Sequence, residues 1–413
     1  MKRVVAYFCC IILCMQIISQ KNIVFGNSAF HTNRSLISNE TEEKTSEPDL
    51  QITSQSAVLI EGSTGTILYE KNKDERRFPA SITKIMTLLL IFEALEDGKI
   101  SLEDEVTVSE HAASMGGSQV YVEPNEKLTV DTMIKCITIS SANDCAVAMA
   151  EFLAGSETEF VTRMNAKAKE LGMNNTNFMN CCGLDDEITK GHYSSAYDIA
   201  LMSRELITKH SEITKYSTVW MDTFTHTTKK GESEFGLTNT NKLVRTYNGI
   251  TGLKTGSTSK AKYCLSATAN RNGMDMIAVV MAAPESKTRF SEAARMLDYG
   301  FANCTMYQDD NKDTVLEQIA VKRGLKDFIV PKIASTFTYL LMNGESSENI
   351  QKEIIYEADV EAPVMEGDVI GEIKYTYGGK DIGSVPIVSS ENIGKAKFKN
   401  YLEKIVKKFF IAD

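Results

Sequence analysis

The stretch "RFPASITKIMTLLLIFEAL", which begins at Arg77, sets a hydroxyl at Ser81 and an amine at Lys84, then runs into an apolar segment. Helical positions three apart share a face, so the two groups can meet at the first turn. A free serine hydroxyl is a weak nucleophile and needs a base. A lysine kept partly neutral by burial can be that base. Backbone N–H groups at a helix N-terminus add positive potential where an anion would form. Taken alone the pair is a weak signal, because S-x-x-K arises often by chance and most such lysines reach to water.

Two later segments supply polar groups of a matching kind. "ITISSANDCAVAMAE" brackets Ala142 with Ser141 and Asn143 just before an apolar helical pattern. The structural reading is a helix cap, a common place for Ser, Asn and Asp. The chemical reading makes Ser141 a proton relay to a leaving group, with Asn143 holding Lys84 and a substrate amide. "YNGITGLKTGSTSKAKY" then gives Lys254, Thr255, Gly256 and Ser257. On a strand, Lys254 and Gly256 would share one face and Thr255 the other, unless a bulge intervenes. Lys254 offers a fixed charge, and Thr255 a hydroxyl, to a substrate carboxylate. Gly256 would let an acyl chain approach the backbone. The N–H groups of Ser81 and Ser257 could together form an oxyanion hole. The structural alternative is a lysine before a T-G turn.

The three segments in this order, S-x-x-K, S-x-N and K-T-G, form the signature of penicillin-binding proteins and serine β-lactamases. "PASITKIMT", "SSAND" and "GITGLKTGST" resemble the serine-type D-alanyl-D-alanine carboxypeptidases, the low-molecular-mass penicillin-binding proteins. "AKELGMNNTNFMNCCGLDDEITKGHYSSAYDIA" resembles the family's segment between its second and third motifs. The likeness is close over about residues 53 to 306 and looser beyond. It implies a β-lactamase/transpeptidase fold, with an α/β sheet domain and a helical subdomain. It makes Ser81 the acylated nucleophile and Lys84 its base. Ser141 and Asn143 match the second motif, and Lys254, Thr255 and Gly256 the third. The implied substrates are peptidoglycan pentapeptide stems, trimmed of their terminal D-alanine, and penicillins would acylate the same serine. Two departures stand out: Ser-Ala-Asn replaces the frequent S-G-N, and Ser257 follows K-T-G where relatives often carry histidine or another residue.

Rival readings share the fold. A β-lactamase with a second base would carry E-x-x-x-N between the second and third motifs, and Asp185, Asp186 and Glu187 do not sit in that pattern. A transpeptidase differs only in whether an amine or water accepts the acyl group. A non-catalytic wall-associated protein of the same fold is the third alternative.

These residues need a scaffold, and the patterns describe one. "SAVLIEGSTGTILYEKNKD" reads as a hairpin around "GSTG". Helical patterns cover "TVDTMIKCITISSANDCAVAMAEFLAG", "ETEFVTRMNAKAKELGM" and "SSAYDIALMSRELITKH". Strand-like runs return at "GLKTGST", "KYCLSATANRNG" and "MDMIAVVMAAP", and a helix follows at "SKTRFSEAARMLDYGFANC". Strands, helices, strands and a helix suggest one antiparallel sheet built from both ends of a domain spanning 55–306. Residues 307–392, with short Val, Ile and Tyr runs cut by Gly and Pro, read as a small all-β domain. In 393–413, Phe398, Tyr401, Leu402, Ile405 and Phe409 recur at helical spacing, while Lys399, Lys404, Lys407 and Lys408 fall mostly elsewhere. Such an amphipathic helix can lie on an anionic membrane surface. The alternative is docking on its own domain or in a partner's groove.

The start of the chain, with Lys2 and Arg3 before a mostly apolar Val4 to Ile18, has the build of a secretory signal at 1–29, with a retained anchor as the alternative. Cleavage is expected near "FGNSAF", after Ala29, and residues 30–54 read as a flexible polar lead-in. Removing 1–29 would take three positive charges and no negative one, moving the net charge from −10 to −13. That charge disfavours a nucleic-acid partner. The expected location is the outer face of a bacterial cytoplasmic membrane. Cys136, Cys145, Cys181, Cys182, Cys264 and Cys304 are read as small buried residues, with one disulfide left open outside the cytoplasm. No cysteine or histidine spacing suggests a metal, and no cofactor is expected.

Overall fold

The computed structural model describes residues 49–186 and 190–410. The expected signal, and the lead-in up to residue 48, lie outside the described residues. The first hairpin joins β1 (Ser56–Glu61) to β2 (Ile67–Lys71). Three more strands, β5 (Ile250–Thr258), β6 (Lys262–Arg271) and β7 (Met274–Ala283), complete a sheet in the order β2-β1-β7-β6-β5. Every pairing in it is antiparallel. Both ends of the domain therefore meet at β1 and β7, as the element order suggested.

Strand alternation explains why the sheet is covered on two faces. Val58 and Ile60 of β1, with Ile277, Val279 and Met281 of β7, enter a core shared with α1 (Lys84–Glu96) and α5 (Ala196–Lys209). Ala57 and Leu59, with Met276, Ala278 and Val280, point the other way. They meet Phe290, Ala293, Met296 and Leu297 of α6 (Ser286–Asn303). The helical subdomain adds α2 (Val130–Ile139), α3 (Asn143–Ala154) and α4 (Glu157–Glu170). Thr129, Ser156 and Ser195 cap α2, α4 and α5 with their side-chain oxygens.

Four expectations change. A hairpin of β3 (Met221–Thr228) and β4 (Gly231–Thr238) was not anticipated. Its residues are mostly polar and exposed, so it lacks the apolar alternation that marks a strand. The lead-in is not loose to residue 54: Ile52 packs in the α6 core, and the buried Glu292 carboxylate accepts Thr53 N (2.5 Å), Thr53 Oγ1 (2.7 Å) and the Ser54 hydroxyl. The second domain's first strand is Cys304–Asp309, which pairs with Phe337–Met342 and so crosses the expected boundary at 306. The terminal helix, α7, spans only Phe398–Phe410, because Ile393 and Lys395 bridge to Val364 and Gly324.

The second domain is all β around its own core, with a four-stranded sheet that includes Val369–Tyr377 and Lys380–Ser389. All six cysteines among the described residues are buried free thiols. Glu292→Ala should lower stability by roughly 2–3 kcal/mol, since it strips buried donors of a charged acceptor. A thermal midpoint equal to that of the unchanged protein would refute the clamp.

Candidate active site

The chain enters the site through a tight turn. Ala80 takes φ +48, and Ala80–Thr83 form a 3₁₀ turn that runs into α1, whose first residue is Lys84. Ser81 is therefore in the 3₁₀ turn and not in the α-helix proper. Positions i and i+3 eclipse in such a turn, which serves the pairing better than an α-helix would. The Lys84 amine lies 3.2 Å from Ser81 Oγ.

Lys84 is fully buried, and its surroundings fix it. The amine donates to Asn143 Oδ1 (2.5 Å) and to the Cys182 carbonyl (2.8 Å). Burial lowers its proton affinity below the ordinary lysine value, against smaller opposing effects of Cys182, Cys181 and Asp144. A neutral amine has two N–H groups and one lone pair. Two acceptors take the two N–H groups, which leaves the lone pair for the Ser81 hydroxyl.

The second segment does not act as a cap. Ala142 stands at the N-cap of α3, with no side-chain hydrogen bond there. Ser141 holds φ +64, is buried, and its Oγ has no partner among the described residues. Asn143 turns to Lys84, while its Nδ2 donates to Gly116 O (2.7 Å) and its backbone N to Ser118 O (2.7 Å). The capping reading fails because both side chains point elsewhere.

The third segment lies on β5. Lys254 is buried, and its amine donates to Thr255 O (3.1 Å). Burial, then the charges of Lys84 and Arg289, hold its proton affinity well below the ordinary value. Thr255 Oγ1 donates to Thr240 Oγ1 (2.7 Å). Gly256 differs from expectation: a Cβ there would lie 2.8 Å from Pro79 O and 3.1 Å from Ile82 N. Its bare backbone makes room for the serine turn rather than for an acyl chain. Ser257 is exposed at the strand's end.

Sequence reasoning brought these residues together but missed their supports. Gly183 holds φ +88, and a Cβ on it would run into the Ala80 carbonyl. Arg289 on α6 donates to Gly256 O (2.9 Å) and Cys264 O (3.3 Å), pinning β5 from behind. Thr240 and the Cys182 carbonyl were also unseen. A backbone carbonyl has no residue type to read. A glycine after "CC" and an arginine in a helix's first turn were the signals available.

Known proteins resemble this chain in sequence and in fold. A family model described as D-alanyl-D-alanine carboxypeptidase, peptidase S11, matches residues 41–285, and one described as the penicillin-binding protein 5 C-terminal domain matches 303–395. The chain is 45% identical over 350 residues to D-alanyl-D-alanine carboxypeptidase DacF of Bacillus subtilis strain 168, covering 85% of this chain and 88% of that one. Penicillin binding protein 5 from Haemophilus influenzae is similar in structure, with a TM-score of 0.70 and 31% identity over 84% of this chain and 98% of that chain. Penicillin-binding protein D2 from Listeria monocytogenes, in its ampicillin-bound form, gives a TM-score of 0.54 and 31% identity over 62% and 100%. The chain belongs to the D-alanyl-D-alanine carboxypeptidase family, peptidase S11.

Proposed function

We propose that this chain is a serine-type carboxypeptidase that removes the terminal D-alanine from peptidoglycan pentapeptide stems through an acyl-enzyme on Ser81. The observation that carries this is the buried Lys84 amine, 3.2 Å from Ser81 Oγ and held by two acceptors. In the proposed reaction, neutral Lys84 takes the hydroxyl proton as Ser81 Oγ attacks the carbonyl of the D-Ala–D-Ala bond. The oxyanion rests on the N–H groups of Ser81 and Ser257. Ser141, whose hydroxyl has no partner among the described residues, relays the proton taken by Lys84 to the departing D-alanine nitrogen. Lys254 and Thr255 take the free terminal carboxylate, which directs cleavage to the chain end. Water then attacks the ester and releases the shortened stem and the free serine.

Penicillins fit the same path, since their ring carbonyl would acylate Ser81. A structural neighbour that binds ampicillin supports this. Membership of a carboxypeptidase family favours water over an amine as the final acceptor.

We further propose export and residence on the outer face of a bacterial cytoplasmic membrane, held there by α7. The helix touches its own domain through Lys404, whose amine donates to Gly324 O (3.0 Å) and Asp327 Oδ1 (2.5 Å). Phe398, Tyr401, Leu402, Ile405 and Val406 are left exposed. That arrangement favours an interfacial helix over one docked by its apolar face. Among the described residues, no helix is long and apolar enough to cross a membrane.

Three outcomes follow from this reading. Ser81→Ala keeps the unfolding midpoint and loses both D-alanine release and labelled-penicillin attachment, read by mass analysis of product and protein. Attachment at the original rate would reassign the nucleophile. Acylation by penicillin rises with pH as Lys84 sheds its proton, along a limb below the ordinary lysine value of 10.5. A rate that shows no rise with pH anywhere below 10.5 would remove Lys84 as the base. Deleting 398–413 leaves penicillin binding intact and releases the protein from anionic lipid vesicles in a flotation assay. Undiminished flotation would reject the helix as the anchor.

A further inference from the structure

We propose that Asp144 is a positioning residue for the acylation step, acting through the loop at residues 116–122 to fix the orientation of the Asn143 amide against Lys84. The proposal rests on the reading of Lys84 as the base for Ser81.

Asp144 sits in the first turn of α3 and is fully buried. One carboxylate oxygen accepts three consecutive backbone N–H groups, from Val120 (3.0 Å), Tyr121 (2.9 Å) and Val122 (3.4 Å). The other accepts its neighbour's, Cys145 N (2.9 Å). The loop it gathers has no regular hydrogen bonding of its own, and Tyr121 is held at φ +63. A buried carboxylate, with two oxygens and several lone pairs, can accept three adjacent donors.

The same loop returns to Asn143 from the other side. Gly116 O takes the Asn143 Nδ2 donor, and Ser118 O takes the Asn143 backbone N–H. Gly117 between them fits against the amide, since a Cβ there would lie 2.9 Å from Asn143 Nδ2. An asparagine amide has two unlike ends. Because Gly116 O holds the NH₂ end, the oxygen end must face Lys84, where it accepts the amine at 2.5 Å. A loosened loop removes that constraint. The amide can then turn its NH₂ toward Lys84, which leaves donor against donor and misdirects the lysine lone pair. Two neighbouring residues on one helix thus hold the loop at both ends, and one of them depends on it.

Asp144 also acts on Lys84 through space. Its charge opposes the burial that lowers the lysine's proton affinity. The other groups felt by Lys84 are Cys182 and Cys181, while Lys254 on β5 in turn feels Lys84. Around Asp144 itself stand Cys145 and, through it, Cys136 and Glu126. Of these, Cys145 alone feels the Asp144 charge directly, and its thiol is already held above its ordinary value by burial.

The test uses the full chain, Asp144→Ala and Asp144→Asn, with labelled penicillin acylation measured against pH and corrected for the folded fraction by thermal melting. Asp144→Ala should acylate at least about tenfold more slowly per folded molecule, the scale of a misplaced catalytic group. Asp144→Asn keeps an acceptor oxygen for the loop and should recover most of that rate. It lacks the charge, so Lys84 should lose its proton more easily, and the acid limb should move to lower pH. A merely structural aspartate would lower the melting point while leaving rate per folded molecule and limb unchanged, and that result overturns the proposal. If the unchanged protein itself fails to acylate at Ser81, the underlying reading of the site is what fails.

Discussion

Removing one amine from water is the constraint on which the rest of this structure depends. Lys84 is cut off from solvent, and among the described residues no carboxylate lies in hydrogen-bond contact with its amine. A buried ammonium with neutral acceptors is costly, so the environment favours the neutral amine. The same acceptors that stabilise it also aim it. Asn143 comes from α3, the Cys182 carbonyl from the segment after α4, and Ser81 from the turn before α1. The interface between the sheet domain and the helical subdomain is therefore organised around one nitrogen atom. Shifting either part displaces at least one of its partners.

Close backbone approach is the second condition. The serine turn is squeezed between Gly183 on one side and Gly256 on the other. Each glycine replaces a side chain that would collide with backbone, which cannot move aside as a rotamer can. Arg289 then ties Gly256 to the helix behind the sheet, and Glu292, one turn further along α6, ties down the entering chain at Thr53 and Ser54. A single helix thus secures both the strand that flanks the serine and the segment that leads into β1.

The legible and illegible parts of the chain divide along physical lines. Amphipathic elements could be read because burial on one face imposes a period on side-chain type. α5 and α6 carry such a period, whereas β1, α1 and β5 to β7 show as apolar runs buried on both sides, and all of these were anticipated. The β3–β4 hairpin is mostly exposed, and the inward positions of β3 carry Asp222, Phe224, His226 and Thr228 rather than an apolar series, so it was missed. Ser81, Lys84, Ser141, Asn143, Lys254 and Thr255 were legible as types at fixed gaps. Their supports were not, because the groups in question are carbonyls, absent side chains and residues distant in sequence. Gly256 was identified for the right property with the wrong beneficiary, since a sequence cannot say which neighbour fills the space beside a bare Cα.

Electrostatics gives the cleft a direction. The whole chain is acidic, at −10, yet Lys84, Lys254 and Arg289 lie near enough for Lys254 to feel both of the others. Burial and mutual repulsion lower the proton affinity of Lys254, and its amine donates to the carbonyl of its neighbour Thr255 rather than to any acid. A free site in this condition is poorer in charge than its sequence suggests. On the proposed reading, the missing negative charge is the terminal carboxylate of the stem. Its arrival would raise the proton affinity of Lys254 and fix a cation there, while Lys84 keeps its neutral acceptors and remains able to take the serine proton. The two lysines then differ in role because their partners differ: amide and carbonyl oxygen for one, a carboxylate brought by the substrate for the other.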